Sequence, residues 1–166
     1  AEHPRYWCKP VPPFGDVRAR LVIVGLAPGK HGANASGRPF TGDHAGILLY
    51  RTLFEQGSAS RAESVAADDD LRLLGCRITN AVRCLPPANR PLPAEIRSCN
   101  PFLAGELARV PAGGVVLALG AIAHAAVLRS LGLRPAAARF AHAAEYPLPG
   151  ARLLLDSYHC SRYNTQ

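Results

Sequence analysis

The residue types best suited to chemistry gather in three polar stretches. Residues 25–43, GLAPGKHGANASGRPFTGD, hold five glycines and two prolines. Backbone with so few side chains allows close approach to a ligand and leaves N–H groups unpaired by secondary structure, as an anion cradle requires. The stretch is not a Walker loop, because no Gly-Lys-Ser/Thr follows at the required spacing, and it lacks the GxGxxG dinucleotide pattern. Near its end stand Phe40, a ring able to stack on a flat ligand or fill a core, and Asp43, a carboxylate able to stabilise a cation or cap a helix. Residues 80–91 open on Asn80, whose amide offers a donor and an acceptor either to a ligand or to its own turn. Residues 157–166, SYHCSRYNTQ, centre on His159 among Ser157, Ser161, Arg162 and Asn164. Such a histidine is either packed at a strand end or presented, as a neutral imidazole, to a ligand.

These stretches need elements that bring them together. Apolar runs of strand length fall at residues 20–25, 77–81, 114–119 and 152–156. Each is continuous rather than alternating, which suits strands buried on both faces of a parallel sheet. Helical spacing occupies residues 43–55, 93–109 and 121–131 between them. Strands alternating with helices predict right-handed crossovers and a three-layer αβα domain of α/β class with a four-stranded parallel sheet, spanning residues 1–166 as one unit. In such sheets ligands bind beyond the carboxyl ends of the strands, where all three polar stretches begin. Residues 58–70 read as a loose surface connection.

Composition narrows the function classes. No apolar run approaches the length of a membrane span, and residues 1–13 carry charges and prolines where a signal peptide would have an apolar core, so a cytoplasmic protein is expected. The chain has no methionine and opens on Ala1, so it is expected to be processed or partial. A net charge of +7 fits a polyanionic partner, although nearly all of it is arginine, which GC-rich coding would also produce. Five cysteines with no CxxC pair point to reduced thiols or metal ligands rather than disulfides.

Taken in order, GLAPG, HGANASGRPFTGD, NAVRCLPPANRP, VVLALGAIAH and SYHCSRYNTQ resemble the family 5 uracil-DNA glycosylases of the UDGb type across nearly the whole chain. The resemblance implies the glycosylase αβα fold, extrusion of uracil from DNA, cleavage of its N-glycosidic bond in base-excision repair, a monomer, and a [4Fe–4S] cluster. Cleavage develops an oxocarbenium-like sugar and a uracil anion, so the site must supply negative charge near the sugar and donors near uracil O2. The resemblance assigns the first duty to Asp43 and the second to His159. It places Ala27, Gly29, His31, Phe40 and Asn80 around the base, with Asn80 reading O4 and N3–H. Arg38, Arg83, Arg90, Ser161, Arg162 and Asn164 are expected to meet DNA. Cys84 and Cys99 match two cluster ligands, with Cys8 a conceivable substitute for another; Cys76 reads as a core residue and Cys160 as a thiol beside the active-site histidine. Compared with the family, the chain begins late, lacks the upstream CxxC and stops before a final helix. Family 4 enzymes carry an acid where this chain has Leu26, which disfavours that type. An inactive DNA-binding module of the same fold is the remaining rival, and hypoxanthine is a second expected substrate.

Overall fold

The computed structural model of the protein describes residues 3–165. Six strands, β1 (Phe14–Gly15), β2 (Leu21–Gly25), β3 (Cys76–Asn80), β4 (Val115–Leu119), β5 (Glu145–Leu148) and β6 (Arg152–Ser157), form one sheet in the order β1-β3-β2-β4-β6-β5. The four expected strands are its parallel centre, β3-β2-β4-β6. The expectation of four strands is corrected to six, because β1 and β5 add antiparallel edges. A two-residue strand carries no period, and Pro147 inside β5 lacks the N–H a central strand needs, which confines it to an edge.

The helices are α1 (Ala33–Ser36), α2 (His44–Glu55), α3 (Pro93–Leu107), α4 (Ala121–Ser130) and α5 (Arg162–Thr165). Alternation along β2 sorts the core into two layers. Val22 and Val24 face Leu103 and Leu107 of α3 and Ala123, Ala126 and Val127 of α4. Ile23 faces the other way, toward Leu49, Tyr50 and Leu53 of α2. Burying each of the Val, Leu and Ile side chains stabilises the fold by about 1.5–3 kcal/mol. Helix α3 starts at Pro93, with Glu95 accepting the Leu92 N–H at 2.6 Å, so a preset φ and this one side-chain bond fix the position of its first turn.

At the carboxyl edge the loops after β2 and β3 are joined: Ala81 N–H donates to the Gly25 carbonyl at 2.9 Å and Val82 N–H to Leu26 at 3.0 Å. Residues 58–70 are not a loose connection. Ala59 pairs with Leu73, and the Asp69 carboxylate accepts from the N–H groups of Val65, Ala66 and Leu71. Among the described residues no helix is long and apolar enough to cross a membrane.

Candidate active site

A cavity of about 570 Å³ opens at the carboxyl edge, walled by the loops after β2, β3 and β6 and by the start of α2. Asp43, His159, Ala27, Gly29, His31, Phe40, Asn80, Ser161 and Arg162 all line it, so residues spread over most of the sequence converge on one space. Leu26 lines it as well.

Asp43 is the N-cap of α2: its backbone is extended and its Oδ1 accepts from Gly46 N–H at 2.9 Å. The capping and cavity-lining readings of this residue therefore coexist. Its Oδ2 lies over Gly32, where an added Cβ would sit only 2.7 Å away. Burial pushes the Asp43 pKa up, opposed by the Gly46 N–H and by the charge of His159. The helix N-terminus favours the ionised form at the same place. His159 is pushed the other way, down from the usual histidine range by burial, with the Asp43 charge partly offsetting. Both shifts have one cause, removal from water, and together they favour an uncharged imidazole at neutral pH.

Phe40 lies beside His159, the rings 5.8 Å apart and 29° from parallel. Three features fix it. Its φ of +54° places it in the left-handed region, which a bulky residue adopts only when its surroundings impose it. Its carbonyl oxygen rests against Gly46, where a Cβ would come within 1.8 Å, and a Cβ at Gly25 would come within 2.6 Å of the ring. The buried Tyr50 hydroxyl, its pKa raised to about 12 by burial, donates to the Pro39 carbonyl at 2.7 Å. Asn80 ends β3 and is buried at the cavity, and its Oδ1 has no hydrogen-bond partner among the described residues. A buried amide acceptor without a partner is costly unless a ligand's N–H meets it.

Four expected DNA contacts lie off the cavity. Arg38 is only 4 % exposed; its guanidinium donates to Asp69 at 2.6 Å, to Ser64 and to the Ala67 carbonyl, and stacks on Phe14. The expectation that it meets phosphate is therefore corrected: it ties residues 64–69 to the loop carrying Phe40. Burial alone would raise the Asp69 pKa, but Arg38 and the backbone N–H groups outweigh it and hold the carboxyl at about 2. Arg83 is likewise engaged, bonded to Glu106 at 3.4 Å and packed over the Phe102 ring. Asn164 donates to the His159 carbonyl at 2.7 Å, which makes it a support for the histidine loop. Arg90 is exposed next to Asn89. Sequence reasoning missed His44, Asn89 and Tyr163, which do line the cavity. Adjacency to Asp43 was a signal for His44, and Asn89 and Tyr163 stand inside the polar stretches 80–91 and 157–166.

Cys84 and Cys99 are neighbours: burial first, then the charge of Cys99, raises the Cys84 thiol. A [4Fe–4S] cluster takes four thiolates. Among the described residues no group of three or more His, Cys, Asp or Glu could hold a metal, so these residues supply two ligands and do not by themselves fit the cluster. Cys8 is exposed, and its sulfur accepts from Asn34. Cys76 is fully buried in the core, and Cys160 is buried beside His159.

Residues 12–166 match the uracil DNA glycosylase superfamily. A type-5 uracil-DNA glycosylase of Thermus thermophilus is 54% identical over 97% of this chain and 73% of its own length. A type-5 enzyme of Pyrobaculum aerophilum is 44% identical over 96% of this chain and 69% of its own length. A type-4 enzyme of Thermotoga maritima is 38% identical over 66% of this chain and 49% of its own length. The longer and closer match is to the type-5 proteins, in keeping with Leu26 at the cavity wall, and the chain belongs to the uracil-DNA glycosylase superfamily, in its type-5 family.

Proposed function

We propose that this chain is a monofunctional uracil-DNA glycosylase of base-excision repair, acting on uracil in DNA with Asp43 and His159 as its catalytic residues. The observation that carries the reading is the meeting of a buried carboxylate, a neutral-leaning imidazole, a stacking ring and an unpaired amide acceptor in one cavity.

Uracil leaves the base stack and enters the cavity against Phe40. The Asn80 Oδ1 accepts the uracil N3–H and its Nδ2 donates to O4, a pattern that cytosine does not offer. As the N1–C1′ bond breaks, its electron pair passes to the base and negative charge spreads onto O2. A neutral His159 donates a hydrogen bond there without first losing a proton, and a preorganised donor of this kind stabilises the charge as it forms. The sugar becomes oxocarbenium-like, and the Asp43 carboxylate faces that cation. Water adds at C1′ and gives its proton to Asp43, whose raised pKa suits it as acceptor. Asp43 then gives that proton up to solvent and the uracil anion takes one from it, so the products are free uracil and an abasic site. Ala27, Gly29 and His31 complete the wall around the base, while Ser161, Arg162 and Arg90 meet phosphates.

The cavity is of a size that holds drug-sized ligands, which supports hypoxanthine as a second substrate. Cys84 and Cys99 are proposed as two ligands of a [4Fe–4S] cluster; no step above passes through it. A monomeric, cytoplasmic enzyme fits this chemistry.

The test is base release from an oligonucleotide carrying one uracil. Free uracil and alkali-labile strand are expected from the native protein, with His159→Ala slowing release and leaving binding intact. A strand that stays intact in alkali while binding persists would favour the inactive DNA-binding module.

A further inference from the structure

Beside the cavity lies a second pocket of about 530 Å³, and Asp43, His44 and Arg162 border both. Its walls combine two kinds of surface. Ile47 and Val65 are 56 % and 72 % exposed, large aliphatic side chains that both line it. Arg51 and Arg162 bring two guanidinium groups, both exposed, and Glu63 adds a carboxylate. An apolar wall with flanking guanidinium groups is the surface a nucleotide needs, with its base against the aliphatic side chains and its phosphate at the arginines.

We propose that this pocket holds the nucleotide next to the extruded one along the same DNA strand. The proposal rests on the glycosylase reading, because a base seated in the first cavity is tethered by phosphodiesters on both sides. The two pockets share Gly42, Asp43, His44 and Arg162 as a common wall, so one of the two neighbouring nucleotides reaches the second pocket across that ridge. Arg162, on that ridge, meets the linking phosphate, and Arg51, which borders only the second pocket, meets the neighbour. Glu63 accepts from the exocyclic amine of a base and repels a phosphate, which sets the direction in which the nucleotide lies.

Three single-stranded oligonucleotides test this: uracil internal, uracil at the 5′ end and uracil at the 3′ end. Arg51→Ala should raise the half-saturating DNA concentration by about five- to tenfold on the internal substrate and on one of the terminal ones, as expected for one lost phosphate contact. It should have no effect on the terminal substrate that lacks the pocket's nucleotide, and that end gives the polarity of the strand. Arg134→Ala, an exposed arginine bordering neither pocket, should change none of the three. An equal cost on all three substrates, or none on the internal one, would overturn the proposal. Repeating the comparison by fluorescence anisotropy with a tetrahydrofuran abasic nucleotide in place of uridine reads the pocket with no bond broken. Failure of the native protein to release uracil would then count against the glycosylase reading, while the anisotropy still decides the pocket.

Discussion

The protein uses an aspartate and a histidine together twice, to opposite ends. Asp156 on β6 and His124 on α4 are buried, with His124 Nδ1 2.8 Å from Asp156 Oδ1 and its Nε2 3.0 Å from the Ala138 carbonyl. A carbonyl only accepts, so Nε2 donates there, and both ring nitrogens are spent on the protein itself. Asp43 and His159 instead act on each other through charge and both face the cavity. The first pair joins a helix to the sheet, and the second keeps bonding capacity for a substrate. Residue types alone do not distinguish a staple from a pair that faces a cavity; what differs is where the remaining lone pairs and protons point.

Breaking the staple should produce the larger loss of stability. Asp156→Ala leaves His124 Nδ1 buried without a partner and should cost about 1–3 kcal/mol in denaturant unfolding, with uracil release per folded molecule unchanged. A drop in specific activity without a drop in stability would erase the contrast between the pairs. Comparable in size is Asn80→Ala, which should reduce discrimination of uracil against cytosine by about 1–3 kcal/mol while DNA binding persists. An untouched preference would remove Asn80 from base reading. Tyr50→Phe removes the shorter of two bonds to the Pro39 carbonyl, the Thr41 hydroxyl at 3.3 Å remaining, and should cost about 0.5–1.5 kcal/mol, read as a lowered unfolding midpoint. No change would mean that the Phe40 conformation does not depend on the Tyr50 hydroxyl.

The smallest expected effect is on the acid limb of the pH profile. In the proposed mechanism the rate needs Asp43 ionised and His159 neutral. Burial raises the first pKa and lowers the second, so uracil release should fall, as pH drops, at a higher pH than an ordinary carboxylate would give. Asp43→Asn removes the charge that raises His159, so its residual activity should persist to lower pH. A limb that does not move would dissociate the pair.

Much of this arrangement was legible in the sequence. Continuous runs such as LVIVG gave the parallel centre of the sheet, because burial on both faces leaves no polar alternation to confuse. The convergence of three loops then followed from topology alone. Arg38 was misread because a buried arginine and a surface one look alike in sequence, and its partner Asp69 is 31 residues away. Residues 58–70 lack any period, since Asp69 holds them by hydrogen bonds to backbone and not by an apolar face. The His124–Asp156 pair left only a faint mark, a carboxylate closing the run LLLD opposite a histidine set between the apolar residues of AIAHAAVL.

In the proposed reaction Asp43 acts by its negative charge, and the single-turnover rate of Asp43→Asn decides whether it does. Asn is nearly as good an N-cap as Asp, so the cap to Gly46 should survive. Because burial raises the Asp43 pKa above its unfolded value, ionisation costs the native state stability as pH rises through that interval, and the neutral amide removes that cost. The melting temperature at neutral pH should therefore hold or rise, while uracil release slows by about tenfold to a thousandfold, the range of one preorganised electrostatic group. Full-rate release by a stably folded Asp43→Asn protein would contradict the account and leave His159 as the sole catalytic residue it supports.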